Sequence, residues 1–232
     1  MSKTTKVFLF VVMFVCVSQL SMAQFNRHLN IGAGGGVNHS YTDFKTNQSN
    51  FSGHLDVDYL ITPFISVGVH GQKGKLEGDS KGWDTQVGFQ NDYTAFNANA
   101  KLRLGQFLAL SSDYNNEILM DDFFNHLLSN IYIGSGVGFI KNNIDLDHNA
   151  LPQDLQDPAI LGDKKSTEFI IPINFGIDIP LGGQPGKAQW AVNLNYQHNI
   201  SSSDNIDGLI NRKNDHFSYL SLGVRVGLFS KN

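Results

Sequence analysis

The sequence is poor in cysteine and in charged residues. Only one of its 232 residues is a cysteine, Cys16, and Asp, Glu, Lys and Arg together make up 16%. A chain with a single cysteine cannot be held together by disulfide bonds, so another device has to stabilise its fold. The formal net charge is −4 at pH 7, and this mild acidity argues against the clustered basic surface that nucleic acid requires. We therefore predict no nucleic-acid partner.

Long apolar runs are also missing, except at the N-terminus. There, two lysines precede the apolar stretch 7–20, and the small-residue sequence "SMA" follows it. A basic start, a short apolar segment and a small-residue exit are typical of a secretory signal peptide. A transmembrane helix is the competing interpretation, but the stretch is shorter than the ~20 apolar residues that cross a bilayer. We predict a signal peptide over 1–23 and one exported domain, without cysteine, over 24–232.

Apolar residues recur at every second position in eight segments, which is the period of a β-strand. The mean hydropathy of −0.18 does not argue against a membrane location, because only alternate residues of a β-barrel meet lipid. The predicted strands cover residues 27–38, 51–61, 64–72, 93–104, 131–141, 167–179, 189–199 and 217–229.

Sorting each strand by parity separates two faces of different chemistry. One face carries aliphatic and aromatic side chains without a charge, and every strand charge from Asp56 onward falls on the other face. That second face is mostly Gly, Asn, Ser and His, whereas a water-facing surface is rich in Lys and Glu. Small residues suit the crowded interior of a narrow barrel, which leaves lipid as the surroundings of the aliphatic face. Only in the fifth strand do Tyr132 and Ile140 blur the two faces.

Alternation alone fits a soluble β-sandwich, a soluble lipocalin-like barrel or a membrane barrel, and the composition of the two faces favours the membrane barrel. We predict an all-β fold, an eight-stranded antiparallel up-and-down transmembrane β-barrel, closed by pairing of residues 29–37 with 220–228. An arginine on the lipid side near the midplane would cost ~2–4 kcal/mol, so we expect Arg225 to point into the barrel.

The lengths of the connections agree with this topology. Two inner connections, 62–63 and 180–187, are short, and the predicted outer loops are long and polar, as in bacterial outer-membrane barrels. The third inner connection, 105–130, is long, and its residues 115–130 have the spacing of a short amphipathic helix. We interpret it as an insertion that folds on itself; a helix on the inner membrane face and a docking element for another envelope protein are the alternatives. The outer loops are 38–50, 73–92, 142–166 and 200–216.

Six charged residues on the inner face lie toward the same end of the predicted barrel. Opposite charges at similar depth can pair across a narrow interior, as buried charges require. We therefore predict an occluded lumen with a salt-bridge network and no general porin channel. The residues of this lumen charge network are Asp56, Asp58, Lys101, Arg103, Asp178 and Arg225.

The signal peptide, the eight alternating strands, the loop asymmetry and the ending "SYLSLGVRVGLF" together carry a resemblance. The chain resembles the eight-stranded outer-membrane β-barrel families of Gram-negative bacteria, of the OmpA type and the PorT-like type. The resemblance implies a location in the outer membrane, with membrane lipid and the barrel-insertion machinery as partners. It also implies that Phe229 acts as the C-terminal aromatic signal read by that machinery, although Ser230, Lys231 and Asn232 follow it.

The predicted function is a structural or binding role: membrane integrity, adhesion or a subunit of an envelope complex. One alternative is a secretion-accessory barrel of the PorT type that makes contact through 105–130. A second is a lipid-modifying enzyme with His198, the serines at 201–203 and Asp204 at the outer rim, and a third is a soluble secreted β-barrel. We predict no enzyme, catalytic residue or cofactor.

Two patterns resemble metal sites, and we predict neither to be one. His54 and His70 share the inner parity on adjacent strands, where hydrogen bonding inside the barrel is the simpler explanation. Residues 145–156 begin as a D-x-D-x-N calcium loop, but Ala150 and Gln156 replace the glycine and glutamate that close that geometry. An acidic solvated loop explains this segment better.

Overall fold

The alternating segments form eight strands, and the predicted fold is confirmed. The computed structural model describes residues 27–44, 46–62, 64–79, 87–105, 107, 127–146, 151, 160–181, 189–210 and 214–230. Each strand pairs antiparallel with the next, and together they form one closed barrel. The strands are β1 (Arg27–Tyr41), β2 (Thr46–Leu60), β3 (Ile65–Asp79), β4 (Gly88–Arg103), β5 (Ile131–Leu146), β6 (Lys165–Pro180), β7 (Gln189–Ser201) and β8 (His216–Ser230).

The barrel closes where β1 pairs with β8, in the register that the sequence predicts. Leu29 lies opposite Leu228 and Val37 lies opposite Leu220. Closure leaves neither strand with a free edge of unpaired backbone groups. It also places every alternate side chain on a definite side of the wall, inward or outward.

The outward face is aliphatic and aromatic, and the inward face is polar over most of its height. Phe51 is 80% exposed and Leu222 is 60% exposed, whereas Asp58 and Asn38 are fully buried. Exposed apolar side chains on all eight strands make an apolar outer surface, which needs lipid around it. The strand charges from Asp56 onward point inward over the region that the sequence pattern covered, except Lys141 at the end of the fifth predicted strand, which is exposed on the outside.

Several strands run further toward the outer end than the sequence indicates. The prediction stopped β3 at residue 72 and started β4 at residue 93, whereas pairing continues to Asp79 opposite Gly88. In this added part of β3, Lys75 points outward and Leu76 points inward. The pattern is inverted there, polar outside and apolar inside, as expected of a strand in water. Because the prediction took apolar residues as outward, it assigned these residues to loops.

The inner connections differ in length. At the short turn between β2 and β3, the backbone N–H of Ile61 donates to the carbonyl of Ile65 at 2.9 Å. In the connection 105–130, residues 127–129 are helical, and most of the helix predicted over 115–130 lies outside the described residues. The predicted signal peptide lies outside them too. Among the described residues, no helix has the length and apolar character needed to span a membrane.

Candidate functional site

The structure brings the six residues of the lumen charge network together at the inner end of the barrel. All six side chains are buried, with between 0 and 7% of each residue exposed. Lys101 Nζ lies 2.7 Å from Asp58 Oδ2, and Arg103 Nη2 lies 3.0 Å from Asp178 Oδ2. Three carboxylates face three cations, so the set carries no net charge.

Arg225 is the centre of this network. Its Nε lies 3.2 Å from Asp56 Oδ2, and its Nη1 lies 3.1 Å from Asp178 Oδ1 and 3.5 Å from Asp58 Oδ2. A guanidinium can reach several carboxylates at once because its five N–H donors are fixed in a planar fork. One residue of β8 is thereby tied to both β2 and β6 through the interior.

Glycines on neighbouring strands make room for these side chains. A Cβ on Gly32 would lie 2.6 Å from Asp56 Oδ1 and 2.9 Å from Arg225 Cγ. A Cβ on Gly68 would lie 2.1 Å from Asp58 Oδ1. The inward-facing glycines therefore position the network, because any larger residue would occupy the volume of the charged groups.

The ring of Tyr132 lies against two cations of the network, a role that the sequence did not reveal. Lys101 Nζ lies 5.6 Å and Arg225 Cζ 5.7 Å from the centre of its ring, within the range of cation–π attraction. Its hydroxyl donates to Asn195 Oδ1 at 3.0 Å and accepts from Asn193 Nδ2 at 2.9 Å. In the sequence Tyr132 only blurred the parity of its strand. Its aromatic ring on the polar face was the one available signal.

A layer of hydrogen-bonded polar residues follows further out, and it includes both histidines of the possible metal pair. The rings of His54 and His70 are stacked with centroids 5.1 Å apart. His54 Nδ1 lies 2.9 Å from the Tyr219 hydroxyl, which donates to the carbonyl of Ser52 at 3.1 Å. In the part of the chain that the structure describes, no three His, Cys, Asp or Glu residues are arranged to hold a metal ion.

An apolar cluster, here called the outer cluster, occupies the outer end of the interior. The sequence pattern predicted an inner face that is mostly Gly, Asn, Ser and His, and it did not identify this cluster. Inward side chains of the strand extensions meet apolar residues of the loops, because removing both from water is favourable. The strand members include Leu76, Phe89, Ile140, Ile144, Ile170 and Phe217, and the loop members include Phe44, Leu151, Ile206 and Leu209.

The fourth outer loop is held against this cluster by backbone bonds to the third. The N–H of Ile210 donates to the carbonyl of Ile160 at 2.7 Å, and Gly162 donates to Gly208 at 2.9 Å. Gly208 has a φ of +88°, a conformation that glycine adopts without strain. Asn91 Nδ2 donates to the carbonyl of Ile206 at 2.8 Å and so attaches the loop to β4.

Two buried carboxyl groups belong to the same loop region. Asp207 accepts from the N–H groups of Leu209 at 2.9 Å and Asp43 at 3.2 Å, and Asp215 accepts from Ile206 at 2.8 Å. Burial is the main cause that raises the pKa of Asp207 to about 7. Burial, together with the charge of Asp207, raises the pKa of Asp215 to about 9. The packing of this loop is therefore linked to proton binding.

The residues considered for an enzyme at the outer rim are not assembled into one site. His198 faces outward and contacts the rings of Tyr41 and His216. The Ser203 hydroxyl instead donates to Glu168, and Asp204 is buried, with 7% of the residue exposed. His198 and Ser203 thus have different partners, whereas a base and its nucleophile have to lie within hydrogen-bond reach of each other.

Two other predictions fall outside what the structure describes. Phe229 lies within β8, but its side chain is not among those described, so its role as an insertion signal stays a prediction. Residues 147–150 and 152–156 of the possible calcium loop are likewise outside the described residues.

Solved structures of several bacterial surface and outer-membrane proteins are similar to this chain at low identity. Neisserial surface protein A is 14% identical, with a TM-score of 0.46 over 86% of this chain and 97% of that one. The attachment invasion locus protein Ail of Yersinia pestis is 10% identical, with a TM-score of 0.44 over 88% and 100%. OprG from Pseudomonas aeruginosa is 11% identical, with a TM-score of 0.36 over 88% and 96%. Identities this low concern the fold alone.

A search of curated proteins finds no match. The family comparison, in contrast, covers nearly the whole chain: residues 7–227 match the outer membrane protein beta-barrel domain. The chain therefore belongs to this family of outer-membrane β-barrels.

Proposed function

We propose that this barrel has no channel and no enzymatic activity, and that its function is carried by its outer surfaces. It would contribute to membrane integrity, adhesion or an envelope complex. Residues buried inside would then serve to stabilise the barrel, and the outer loops would present the binding surface. The exposed aliphatic side chains of all eight strands contact the acyl chains of the membrane.

The observation that carries this proposal is the presence of two side-chain layers across the interior. At the inner end, Arg225 contacts carboxylates of β2 and β6, and Lys101 of β4 contacts Asp58 of β2. At the outer end, Ile206 is fully buried among residues of several strands and loops. Ions that entered from one side would have to displace first one layer and then the other.

Conductance across planar lipid bilayers tests the proposal. We expect the purified barrel to insert and to show no steady open pore of porin size. A steady pore of that size in the native protein would contradict the occluded lumen. Two double variants are compared in the same measurement. Asp58→Ala with Lys101→Ala removes a buried ion pair, and the control, Lys75→Ala with Asp92→Ala, removes an exposed one. Both pairs leave the net charge unchanged.

The structure offers no observation that favours the PorT-type alternative, because most of 105–130 lies outside the described residues. Cleavage of a signal peptide after residue 23 and recognition of Phe229 by the insertion machinery remain part of the proposal. N-terminal sequencing of the mature protein checks the first. Outer-membrane assembly of a Phe229→Ser variant, compared with Phe51→Ser on the lipid face, checks the second.

A further inference from the structure

Four aromatic rings from three adjacent strands form one patch on the outside of the barrel, here called the imidazole patch: His39 and Tyr41 of β1, His198 of β7 and His216 of β8. Tyr41 stacks on His216 with ring centroids 4.9 Å apart and an interplanar angle of 13°. It also contacts His39 edge-on at 4.9 Å, and His198 contacts His216 at 5.2 Å. Three imidazoles therefore share one small surface.

The imidazole patch lies directly above the aliphatic band of these strands. Tyr41 pairs with His216, and four residues further in Val37 pairs with the exposed Leu220. On β7 the outward residue before His198 is Tyr196, which is 42% exposed. Aromatic residues at the end of an apolar band mark the membrane–water interface of a transmembrane barrel. At that level the surroundings are lipid headgroups.

The contacts that the structure describes for the patch are with uncharged groups. On β2, His39 Nδ1 lies 3.2 Å from the uncharged Ser49 hydroxyl. The outward residues of the next strand, β6, are apolar at this level, and its Glu168 accepts from Ser203 instead. Asp215 precedes His216 but is buried against the N–H of Ile206, and burial raises its pKa to about 9, so it is uncharged at neutral pH.

A metal ion does not fit this arrangement. Tyr41 packs against both His39 and His216, and no metal-holding group of three such residues occurs in the described chain. An anion fits better, because a protonated imidazole donates from both nitrogens and forms charge-assisted hydrogen bonds with phosphate oxygens. The Tyr41 ring stabilises a stacked imidazolium through cation–π attraction, and its hydroxyl is a further donor.

We propose that the imidazole patch is a binding site for the phosphate group of a membrane lipid headgroup. A protonated imidazole donates from both ring nitrogens, so binding of an anion strengthens as the pH falls. Tyr41, His39, His198 and His216 are the titratable groups of the site. Asp43, two residues after Tyr41, donates its backbone N–H to Asp207 at 3.2 Å, and its charge contributes to the raised pKa of that group.

The test compares retention of anionic lipid by the full-length protein at two pH values. Nanodiscs contain phosphatidylglycerol and phosphatidylcholine, and tightly bound lipid is counted after mild delipidation at pH about 5.5 and about 8, on either side of the histidine range. We expect the native protein to retain about threefold more phosphatidylglycerol at the lower pH, the size of effect expected from one solvent-exposed ion pair. A His39→Gln, His198→Gln, His216→Gln variant should lose this difference.

A matched control removes three exposed cations elsewhere on the barrel: Lys73→Gln, Lys141→Gln and Lys165→Gln. Retention should keep its pH dependence in this variant, and an equal loss there would reveal diffuse charge attraction and overturn the site. A histidine variant that keeps the same pH-dependent difference as the native protein would overturn it too. Heat-modifiable gel migration verifies folding, and the single His198→Gln variant gives an independent reading.

A second experiment distinguishes the phosphate of a lipid headgroup from free inorganic phosphate. Inorganic phosphate is titrated into protein in phosphatidylcholine nanodiscs, and the histidine ring signals are followed by NMR. We expect inorganic phosphate to shift the histidine ring signals only weakly. Phosphatidylglycerol should shift them more, and at a lower concentration. Free phosphate that binds as tightly as the lipid and displaces it would overturn the assignment to a lipid headgroup.

Discussion

The guanidinium of Arg225 in β8 lies 3.1 Å from the carboxylate of Asp178 in β6, although β7 separates the two strands. The contact is possible because β7 presents the small residue Ala191 opposite Arg225, and Asn193 opposite Asp178. Asn193 also donates to Asp178 Oδ1 at 2.8 Å. A contact that passes over a whole strand couples parts of the wall that the backbone ladder connects only indirectly.

Arg225→Met should destabilise the barrel strongly, because it leaves the buried carboxylates of Asp56 and Asp178 without their shared cation. Removing one partner of a buried ion pair costs about 3–5 kcal/mol. Urea unfolding of the lipid-embedded barrel, followed by tryptophan fluorescence, measures the free energy of unfolding. Lys75→Met is the control, since its pair with Asp92 is half exposed and such pairs contribute about 0–1 kcal/mol. Equal losses for both variants would contradict a role of the buried network.

Gly32→Ala should lower the free energy of unfolding by about 1–3 kcal/mol, the usual cost of overpacking. The new methyl group would lie within 3 Å of both Asp56 and Arg225 and would push them apart. Gly35→Ala in the same strand is the matched control, because its methyl group would meet only a backbone oxygen of Ser52 at 3.5 Å. The control should change stability by less than about 1 kcal/mol. If both variants unfold alike, the space at Gly32 is not what positions the network.

The packing of the fourth outer loop should weaken as the pH rises. Below pH about 4, the carboxyls of Asp207 and Asp215 are protonated in the packed and the released loop alike. Above that, the released loop loses its protons, while the packed loop keeps them up to about pH 7 and 9, so stability of the packed loop falls across this window. Hydrogen exchange of the Ile206 and Leu209 amides, corrected for intrinsic rates, measures it.

The Asp207→Asn, Asp215→Asn double variant should remove this pH dependence, since asparagine keeps a carbonyl acceptor but does not titrate. The amide of Ile170, in the middle of the strand ladder, serves as the internal reference. Protection of Ile206 that increases with pH would show that the sign of the linkage is wrong.

The lumen charge network and the outer cluster both fill the interior, so disrupting only one of them should not open a pore. We expect Asp58→Ala with Lys101→Ala to remain non-conducting in planar bilayers, because the outer cluster is intact. Ile206→Ser with Leu209→Ser should also remain closed, because the lumen charge network is intact. Ion conductance is expected only when both pairs are combined. A steady pore in either pair alone would mean that the other layer does not block ions.

The sequence by itself determined the number of strands, their order and which face of each meets lipid. Period two is a local property, and a charge on one parity fixes the inward side for the entire strand. The same argument placed Arg225 and its partners on the inner face at similar depth. The pairing of 29–37 with 220–228 followed from the even strand number together with barrel closure, and it is confirmed.

Only the tertiary structure decided which of these charges meet and how far the strands extend. Distances across the interior depend on the stagger and tilt of eight strands, which no single segment encodes. The outer cluster was missed because Ile206 and Leu209 come from a loop without a period, and because strand polarity inverts beyond the membrane. The imidazole patch likewise needs the closed barrel, since Tyr41 and His216 are neighbours only where the last strand returns to the first.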